Sequence, residues 1–469
     1  MPRIFNQDVS LKSVFLMMTE GTLIVLSLVA AVKLRFWGDQ SAFEFHTLLP
    51  DFAFQVLVAV VTFQICFYYN DLYDLRSVLQ RAERFVRIGE SLGASCLVLA
   101  ALYYVAPALV LGRGVFLLAL ILVASWAILA RITLDAAWYP TDLVKRVLIV
   151  GTGPLAVGVA REFARREDLH VNLVGFVAGS GAADDPGMDL LLRPTLGSIR
   201  ELEALTWEHN VSEIVVALED YRGALPVGDL VKLRVQGVRV EDAHTTLAAL
   251  TGRVWLESVR PSWFVFSDGF RRSRLNGLLK RAVDLSFALL GLALSAPLMA
   301  IIALAIRLDS RGPALYRQER VGLHGRVFDV LKFRSMVQEA EGRTGPQWAQ
   351  KNDPRVTRIG GFLRKYRLDE LPQFLNVLQG QMSFVGPRPE RPAFVELLRQ
   401  KIPFYDERHS ARPGITGWAQ VRYDYAASVE GAVRKLEYDL FYLKNMSVLL
   451  DCLIVFETVR IVLEGKGGR

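Results

Sequence analysis

The chain has 469 residues, of which 52% are hydrophobic, and its mean hydropathy is +0.28. The length allows two or three domains, and both hydrophobicity values are high for a soluble protein of ordinary composition. The formal net charge of +7 favours an anionic membrane surface or a phosphate-bearing substrate as partner. Nucleic acid is the competing interpretation, and it is disfavoured because no zinc-finger, RRM or helix-turn-helix signature accompanies the charge. The three cysteines lie in apolar segments without CxxC spacing, which argues against a disulfide framework or a zinc site.

Residues 1–140 contain four apolar runs, and each approaches the roughly 20 residues that a helix needs to cross a bilayer. The runs lie near residues 14–34, 48–69, 91–111 and 114–134. Basic residues cluster between the second and third runs and again after the fourth, at Lys145 and Arg146. Because positive charge marks cytoplasmic segments, we expect a four-helix transmembrane bundle with both ends in the cytoplasm.

Residues 141–258 change to alternating strands and helices, which is typical of a Rossmann-like parallel sheet. A buried strand is predicted before a Gly-Thr-Gly-Pro-Leu-Ala turn at residues 151–156, and further strands fit residues 172–177, 213–217 and 238–241. A nucleotide site is one interpretation, and a relic of the fold or a regulatory or dimerisation module is the other. A dinucleotide site usually carries an acidic residue at the end of its second strand, whereas this chain has Val-Ala-Gly there. We therefore expect no catalytic nicotinamide cofactor.

Residues 259–275 form a predicted linker, and an almost wholly apolar stretch follows at residues 280–308. The stretch is long enough to span a bilayer, but basic residues flank it at both ends, including Arg281 and Arg307. A span would place one basic flank, and all that follows it, outside the membrane. Pro297 removes one helical hydrogen bond from the middle of the stretch. These features predict a broken helix that enters and leaves the same leaflet.

Asp369 and Glu370 form an adjacent carboxylate pair just before Pro372. Proline favours the first turn of a helix and apolar residues recur after it at helical spacing, so we predict a short helix with the pair at its positive end. An acidic helix cap is the simpler interpretation. The surrounding segment is rich in cations, namely Arg355, Arg358, Arg364, Lys365, Arg367, Arg388 and Arg391. Two carboxylates among phosphate-binding cations predict a divalent metal, an anionic substrate and one carboxylate free to act as nucleophile, which is the outline of a phosphoryl-transfer site.

Five ordered motifs carry a resemblance to a known family. They are Lys332–Met336, Asp353–Thr357, Leu368–Gln373, Val385–Pro389 and Arg412–Gln420. In this order they resemble the bacterial sugar transferases, the monotopic phosphoglycosyl transferases that act on polyprenyl phosphate. The resemblance extends from about residue 276 to the C-terminus and implies a catalytic domain at residues 276–469.

The resemblance also implies roles for individual residues. Asp369 would be the catalytic nucleophile on the sugar-proximal phosphate of a UDP-sugar, and Glu370 would act beside it as a ligand of Mg²⁺ or Mn²⁺. Asp439 would assist the metal site, and Ser295 with Pro297 would break the re-entrant helix. The implied substrate-binding set is Lys332, Arg334, Arg355, Arg367, Pro387, Arg388 and Gln420. For each cation taken alone, a solvated surface charge is the alternative interpretation.

The resemblance further implies the partners and the location of the protein. The acceptor would be polyprenyl (undecaprenyl) phosphate within the membrane lipids, and the product would be a lipid-linked sugar that initiates exopolysaccharide or other glycan assembly. The protein would be a multi-pass protein of the bacterial inner membrane with a cytoplasmic catalytic domain, and a homodimer is left open. After Gln420 the chain continues with Arg422-Tyr423-Asp424-Tyr425, a departure that resembles the exosortase-associated exopolysaccharide sugar transferases. The sugar is left unassigned for that reason.

The predicted fold is therefore a membrane α-helical bundle, an α/β Rossmann-like domain and a mixed α/β catalytic domain on a re-entrant membrane helix. A membrane-bound nucleotide-sugar dehydratase or oxidoreductase is the first alternative, but it would need a Tyr-x-x-x-Lys pair, which the sequence lacks. A non-catalytic assembly scaffold is the second alternative. A scaffold would not require carboxylates and phosphate-binding arginines in one ordered set.

Overall fold

The structure is a computed structural model that describes most of the chain in two compact units, Met1–Ala243 and His244–Arg469. Besides short isolated stretches, the described residues are 11–39, 50–70, 81–137, 145–166, 171–179, 194–218, 225–257, 274–337, 354–423 and 428–463. Most of the predicted linker at 259–275 lies outside the described residues, as does Asp353 of the second motif.

The first unit opens with helices that match the four predicted apolar runs. After a short antiparallel pairing of β1 and β2, four helices follow: β1 Arg3–Ile4, β2 Gln7–Asp8, α1 Leu11–Arg35, α2 Pro50–Tyr69, α3 Arg81–Val105 and α4 Arg113–Ala137. Each helix is long and apolar enough to cross a membrane, and the four share one buried hydrophobic core. The third run was predicted at 91–111, but α3 begins ten residues earlier and stops before Pro107, which cannot continue a helix.

A five-stranded parallel sheet completes the first unit. Its strands and helices are β3 Lys145–Val150, α5 Pro154–Arg165, β4 Val171–Ala178, β5 Thr195–Ser198, α6 Leu202–Glu208, β6 Glu213–Val216, α7 Val227–Val235 and β7 Arg239–Asp242. The strand order is β5-β4-β3-β6-β7, and every pairing is parallel. Gly151, after β3, has a φ of +124°, and a Cβ there would collide with the carbonyl of Ala217. The predicted parallel α/β sheet is confirmed, whereas its Rossmann-like character stays a prediction.

The second unit contains the remaining elements. They are most of α8 Ala243–Thr251, then α9 Arg274–Asp309, β8 Leu315–Val321, β9 Val327–Phe333, α10 Arg358–Lys365, α11 Gln373–Leu378, β10 Ser383–Val385, α12 Pro392–Lys401, β11 Gly414–Thr416, α13 Trp418–Arg422, α14 Val429–Lys444 and α15 Val448–Leu463. Residues 244–257 belong to this unit, although the sequence placed them in the Rossmann-like domain. Trp418 and Glu437 hold them there: the Trp418 indole donates to the carbonyl of Gly252, and Glu437 accepts from Arg253 and from the Leu256 amide.

The apolar stretch at 280–308 lies within a single helix, α9, and the helical assignment continues through Pro297. The chain is therefore not divided into two separate helices at Pro297, and a kink there within α9 stays a prediction. Pro297 has no backbone N–H to donate to the preceding turn. Two residues before it, the Ser295 hydroxyl donates to the carbonyl of Gly291 at 2.6 Å.

Both ends of α9 pack against the same unit. Near the start, Arg281 donates to the carbonyls of Val377 and Leu378, at 2.8 and 3.1 Å. Near the end, Ile302 and Ile306 are buried in a cluster with residues of α10 and β9. Between these contacts the helix exposes large apolar side chains, namely Leu289, Leu290, Leu294, Leu298, Ile301 and Leu304. A contiguous apolar, exposed middle between two anchored ends marks a surface that meets a membrane or another apolar partner.

Candidate active site

The carboxylate pair lies in a tight turn between two helices. α10 ends next to Arg367, which takes a left-handed conformation with φ of 54°, and residues 368–370 then form a short 3₁₀ turn. The sequence predicted the pair at the N-terminus of a helix starting near Pro372, but α11 begins at Gln373 and the pair belongs to the separate turn before it. The reversal at Arg367 brings both carboxylates into the interior, where each residue is 8% exposed.

Glu370 is held by two cations from different elements. Its Oε1 atom accepts from Arg388 Nη2 at 2.6 Å and from Lys332 Nζ, at the end of β9, at 3.2 Å. Burial opposes the ionised form, but the charges of Arg388 and Lys332 outweigh it and hold the pKa of Glu370 well below its usual range. Glu370 is therefore a permanent anion with one oxygen committed to cations.

Asp369 has the opposite electrostatic environment. Burial, with the adjacent Glu370 charge second, raises the pKa of Asp369 to about 6. Among the described residues, neither its oxygens nor Glu370 Oε2 accept a hydrogen bond. Two neighbouring carboxyls with pKa values moved in opposite directions have different chemical roles. Of the two carboxylates, Asp369 is the more basic, and it is the one that accepts no hydrogen bond in the described structure.

The strand pair β10–β11 carries Arg388 to the carboxylates. The two strands are parallel, and beyond β10 the Pro387 carbonyl accepts from the Gly414 amide at 3.0 Å. A Cβ on Gly386 would lie inside contact distance of the Arg412 carbonyl, which shows that the two backbones meet without room for a side chain. The fourth and fifth sequence motifs are thus one structural unit, and Arg388 leaves it towards Glu370.

Arg334 was predicted to bind substrate phosphate, and in the structure its two terminal nitrogens contact the protein itself, so that role stays a prediction. Its guanidinium donates to the carbonyls of Ser310 and Arg311, at 2.8 and 2.7 Å, and to the Ser310 hydroxyl. These are groups at the C-terminal end of α9, where a cation satisfies free carbonyls and complements the helix dipole. Strand alternation suggested the same face for Lys332 and Arg334, but β9 ends at Phe333 and the alternation ends with it.

Asp439 was predicted to assist a metal, but its position gives that role no support. Its carboxylate accepts from Arg408 Nη2 at 2.8 Å, and both side chains are almost fully buried. The other neighbour of that nitrogen is the carbonyl of Arg388, at 3.0 Å. Asp439 therefore reaches the site indirectly, through Arg408 and the backbone of the Arg388 loop.

The carboxylate pair itself suits a divalent metal shared with substrate. In the part of the chain that the structure describes, no group of three His, Cys, Asp or Glu side chains could hold a metal by itself. Mg²⁺ usually takes one or two carboxylates and completes its shell with phosphate oxygens and water. The free oxygens of Asp369 and Glu370 match that donor set, so the residues present fit the group.

The other predicted residues lie at differing distances from the pair. Arg367 lies two residues before Asp369, and burial and the Arg388 charge lower the pKa of Arg367. Arg355 lies beside the short bridge between Met336 and Val356, and its carbonyl accepts from the Val337 amide. Gln420 donates through Nε2 to the Ile415 carbonyl at 3.2 Å, and its buried Oε1 has no partner in the described structure.

Sequence reasoning missed several buried charges around the site. They are Arg408, Arg320, Lys280, Asp284 and Asp451. Arg320 donates to the carbonyl of Pro389 at 2.9 Å and so supports the Arg388 loop from β8. Asp451 offered a signal, because a carboxylate inside an apolar helix must find a buried partner. Arg408 offered none, since a lone arginine in a polar segment has no distinctive spacing.

Buried carboxylates among converging cations define a site that handles phosphate, and the comparisons identify the family. The family description "Bacterial sugar transferase" matches residues 275–465. An Aeromonas hydrophila relative, "UDP-N-acetylgalactosamine-undecaprenyl-phosphate N-acetylgalactosaminephosphotransferase", is 46% identical over 47% of this chain and 51% of its own length. A Komagataeibacter xylinus relative, "Undecaprenyl-phosphate glucose phosphotransferase", is 35% identical over 68% of this chain and 59% of its own.

A third relative is the "Exopolysaccharide production protein PSS" of Rhizobium leguminosarum bv. phaseoli, which is 43% identical over 40% of this chain and 98% of its own length. The chain belongs to the bacterial sugar transferase family. It spans about half the length of the first two relatives, and the match with the third is to nearly the whole of that protein.

Proposed function

We propose that the protein transfers a sugar-1-phosphate from a UDP-sugar to undecaprenyl phosphate and so initiates exopolysaccharide or another glycan. The observation that carries the proposal is the carboxylate pair, in which Glu370 is bound by Lys332 and Arg388 while Asp369 is left free and more basic. The names of the relatives supply the substrate class, because two of them describe undecaprenyl-phosphate phosphotransferases.

The first step forms a covalent phosphosugar-aspartate. A carboxylate oxygen of Asp369 attacks the sugar-proximal phosphorus, and the bond from that phosphorus to the bridging oxygen breaks. UMP leaves with the bridging oxygen and its electron pair. The raised pKa of Asp369 makes it a stronger nucleophile than an ordinary carboxylate while it is still mostly ionised at neutral pH.

The second step regenerates the enzyme. A phosphate oxygen of undecaprenyl phosphate attacks the same phosphorus, the bond to Asp369 breaks, and the lipid diphosphate sugar leaves. Both steps develop negative charge on phosphate oxygens. Lys332 and Arg388 converge from different elements on the place where that charge appears, and fixed cations in a partly buried site stabilise it without reorganisation.

A divalent cation is the expected cofactor. Glu370 would hold it through Oε2, with at most one oxygen of Asp369 assisting so that the other can attack phosphorus, and when bound it would neutralise charge on the diphosphate. Lys332 and Arg388, which contact the other oxygen of Glu370, would also neutralise this charge.

Gln420 is suited to bind a hydrogen-bond donor on the UDP-sugar. Its Nε2 is fixed by the Ile415 carbonyl, so the orientation of the amide is determined and Oε1 is the atom left without a partner among the described residues. A buried acceptor without a partner is costly unless a ligand supplies a donor. A sugar hydroxyl or a uracil N–H is such a donor, whereas a phosphate oxygen is not. The sugar is left open, because the two relatives named above use different sugars.

The membrane placement follows from α9. Its ends are anchored to one unit and its exposed middle is apolar, so we infer that it dips into one leaflet and returns. We therefore propose that the acceptor lipid lies beside the catalytic unit, on the cytoplasmic side of the bacterial inner membrane. The Rossmann-like sheet of the first unit is assigned no catalytic cofactor, because β4 ends in Val177-Ala178-Gly179 without an acid.

The placement of α9 predicts that its two ends share one side of the membrane. Single cysteines would replace Gly277 and Arg311 in a chain whose three native cysteines have been removed. Both sites are exposed in the structure, so both cysteines should resist a membrane-impermeant thiol reagent in intact cells and react once the cells are opened. Labelling of the Arg311→Cys protein alone in intact cells would mean that α9 crosses the bilayer.

The function itself is tested with purified full-length protein, undecaprenyl phosphate, Mg²⁺ and a panel of UDP-sugars labelled in the sugar. One or more donors should yield a lipid-soluble labelled product together with an equal amount of UMP. Release of UDP in place of UMP would indicate an ordinary glycosyl transfer and would contradict the proposal. No product with any donor of the panel would also count against it.

A further inference from the structure

The loop that carries Arg388 is fixed through its backbone by three cations, of which Arg408 is buried and the other two are partly buried. Lys280 donates to the carbonyl of Val385 at 3.0 Å, Arg408 to that of Arg388 at 3.0 Å, and Arg320 to that of Pro389 at 2.9 Å. Arg408 and Arg320 come from the globular part of the unit. Lys280 comes from the first turns of α9, the helix that enters the membrane.

Lys280 is pinned in turn by Asp451 of α15. The two atoms Nζ and Oδ2 are 2.7 Å apart, and the side chains are 17% and 3% exposed. One helical turn further along α9, Asp284 accepts from the Phe384 amide at 3.0 Å and from the Ser383 hydroxyl. α9 is therefore attached to β10 through side-chain hydrogen bonds as well as by apolar contact.

Among the described residues, three side chains can donate a hydrogen bond to the Val385 carbonyl, and Lys280 is the one with protons to spare for it. Tyr442 and Ser383 also lie within reach, at 3.1 and 2.8 Å. Each of these hydroxyls has a single proton, and each also faces a carboxylate, Tyr442 at 2.7 Å from Asp451. Hydrogen bonds to a charged acceptor are the stronger choice. Lys280 has three protons, so it can serve Asp451 and the carbonyl together.

We propose that Lys280, held by Asp451, is a positioning residue that fixes the Arg388 loop to the membrane helix α9. Val385 is three residues before Arg388, whose guanidinium binds Glu370 at 2.6 Å. The depth and rotation of α9 in the lipid are thereby transmitted to the cation that faces the nucleotide diphosphate. This inference rests on the proposed function for its meaning, but its geometry stands on these contacts alone.

The test uses full-length protein in lipid nanodiscs and two readouts. Lys280→Met keeps the length of the side chain and removes its protons. Hydrogen–deuterium exchange of the peptide covering residues 383–391 should accelerate about tenfold, and the dissociation constant of UDP should rise by a similar factor. Lys280→Arg should restore most of both values, because it keeps the charge and several donors. Ser286→Ala is the matched control on the same helix, since within the described structure that exposed hydroxyl donates only to the carbonyl of Ala282, one helical turn earlier.

Asp451→Asn provides a second variant that keeps the Lys280 side chain. It should show the same local acceleration to a smaller extent, since Lys280 loses the carboxylate at 2.7 Å but keeps the asparagine amide there and the Asp284 carboxylate at 3.8 Å. Unchanged exchange and unchanged UDP affinity in both variants would overturn the proposal. Acceleration spread evenly over the whole unit would overturn it too, because the pair would then stabilise the fold and not the loop. Absence of transferase activity in the wild type would refute the proposed function, whereas the exchange comparison would still decide the role of Lys280.

Discussion

Asp369→Asn should reduce turnover to background, a loss on the order of 10³-fold or more. The amide has nearly the shape of the carboxylate but cannot displace UMP from phosphorus. UDP binding should survive within a few-fold, because Lys332 and Arg388 remain on Glu370. Steady-state transfer and UDP titration on the same preparation separate the two effects.

Comparing Glu370→Gln with Asp369→Asn separates the role of a metal ligand from that of the nucleophile. The change leaves Lys332 and Arg388 without their counter-charge and removes one expected metal ligand. We expect the Mg²⁺ concentration that gives half-maximal activity to rise, with residual turnover at high Mg²⁺. If Asp369→Asn and Glu370→Gln were to behave alike, with turnover in both restored by added metal, the two carboxylates would share one role and the assignment of Asp369 as nucleophile would fail.

Gly386→Ala should destabilise the second unit by about 1–3 kcal/mol and abolish transfer. The added Cβ would collide with the carbonyl of Arg412 and press on the amide of Gly414, both of which are backbone groups that no rotamer can move. Relief would require β10 and β11 to separate, and Arg388 would then lose its place beside Glu370. Thermal or denaturant unfolding of the purified protein measures the loss of stability.

Gly361→Ala is the matched control for Gly386→Ala. Gly361 lies within the exposed face of α10, and a Cβ there meets only Val356 Cγ1 at an ordinary 3.9 Å. Removing a flexible glycine from a helix should leave stability unchanged or raise it by about 0.4–1 kcal/mol, with activity retained. Equal tolerance of alanine at both positions would show that the close approach of β10 and β11 is not needed.

Much of the fold was predictable because hydrophobic periodicity is a local signal. The predicted strands at 172–177 and 213–217 fall on β4 and β6. The parallel sheet was found because four buried strands alternate with helices at regular intervals. The start of α3 was misplaced because its first turns carry charged residues and lack the apolar signal.

The site was predictable only as far as its motifs extend. The carboxylate pair, Lys332 and Arg388 converge as the ordered motifs suggested. The positions of Arg334 and Asp439 could not be predicted, because the position of a buried charged side chain depends on its partner. The partners here, the end of α9 and Arg408, lie far away in sequence. For the same reason, the sequence shows Lys280 only as one of the basic residues that flank the apolar stretch. Nothing near it in sequence indicated that it pairs with Asp451.

Incubation of the enzyme with UDP-sugar and Mg²⁺ in the absence of lipid tests the covalent mechanism most directly. We expect a burst of one UMP per active site and an intact-protein mass increase of one phosphosugar, located on Asp369 by peptide mapping and absent from Asp369→Asn. Addition of undecaprenyl phosphate should then discharge the label into lipid. If no UMP appears until the lipid is present and the protein mass never changes, the lipid phosphate attacks the donor directly and Asp369 is not the nucleophile.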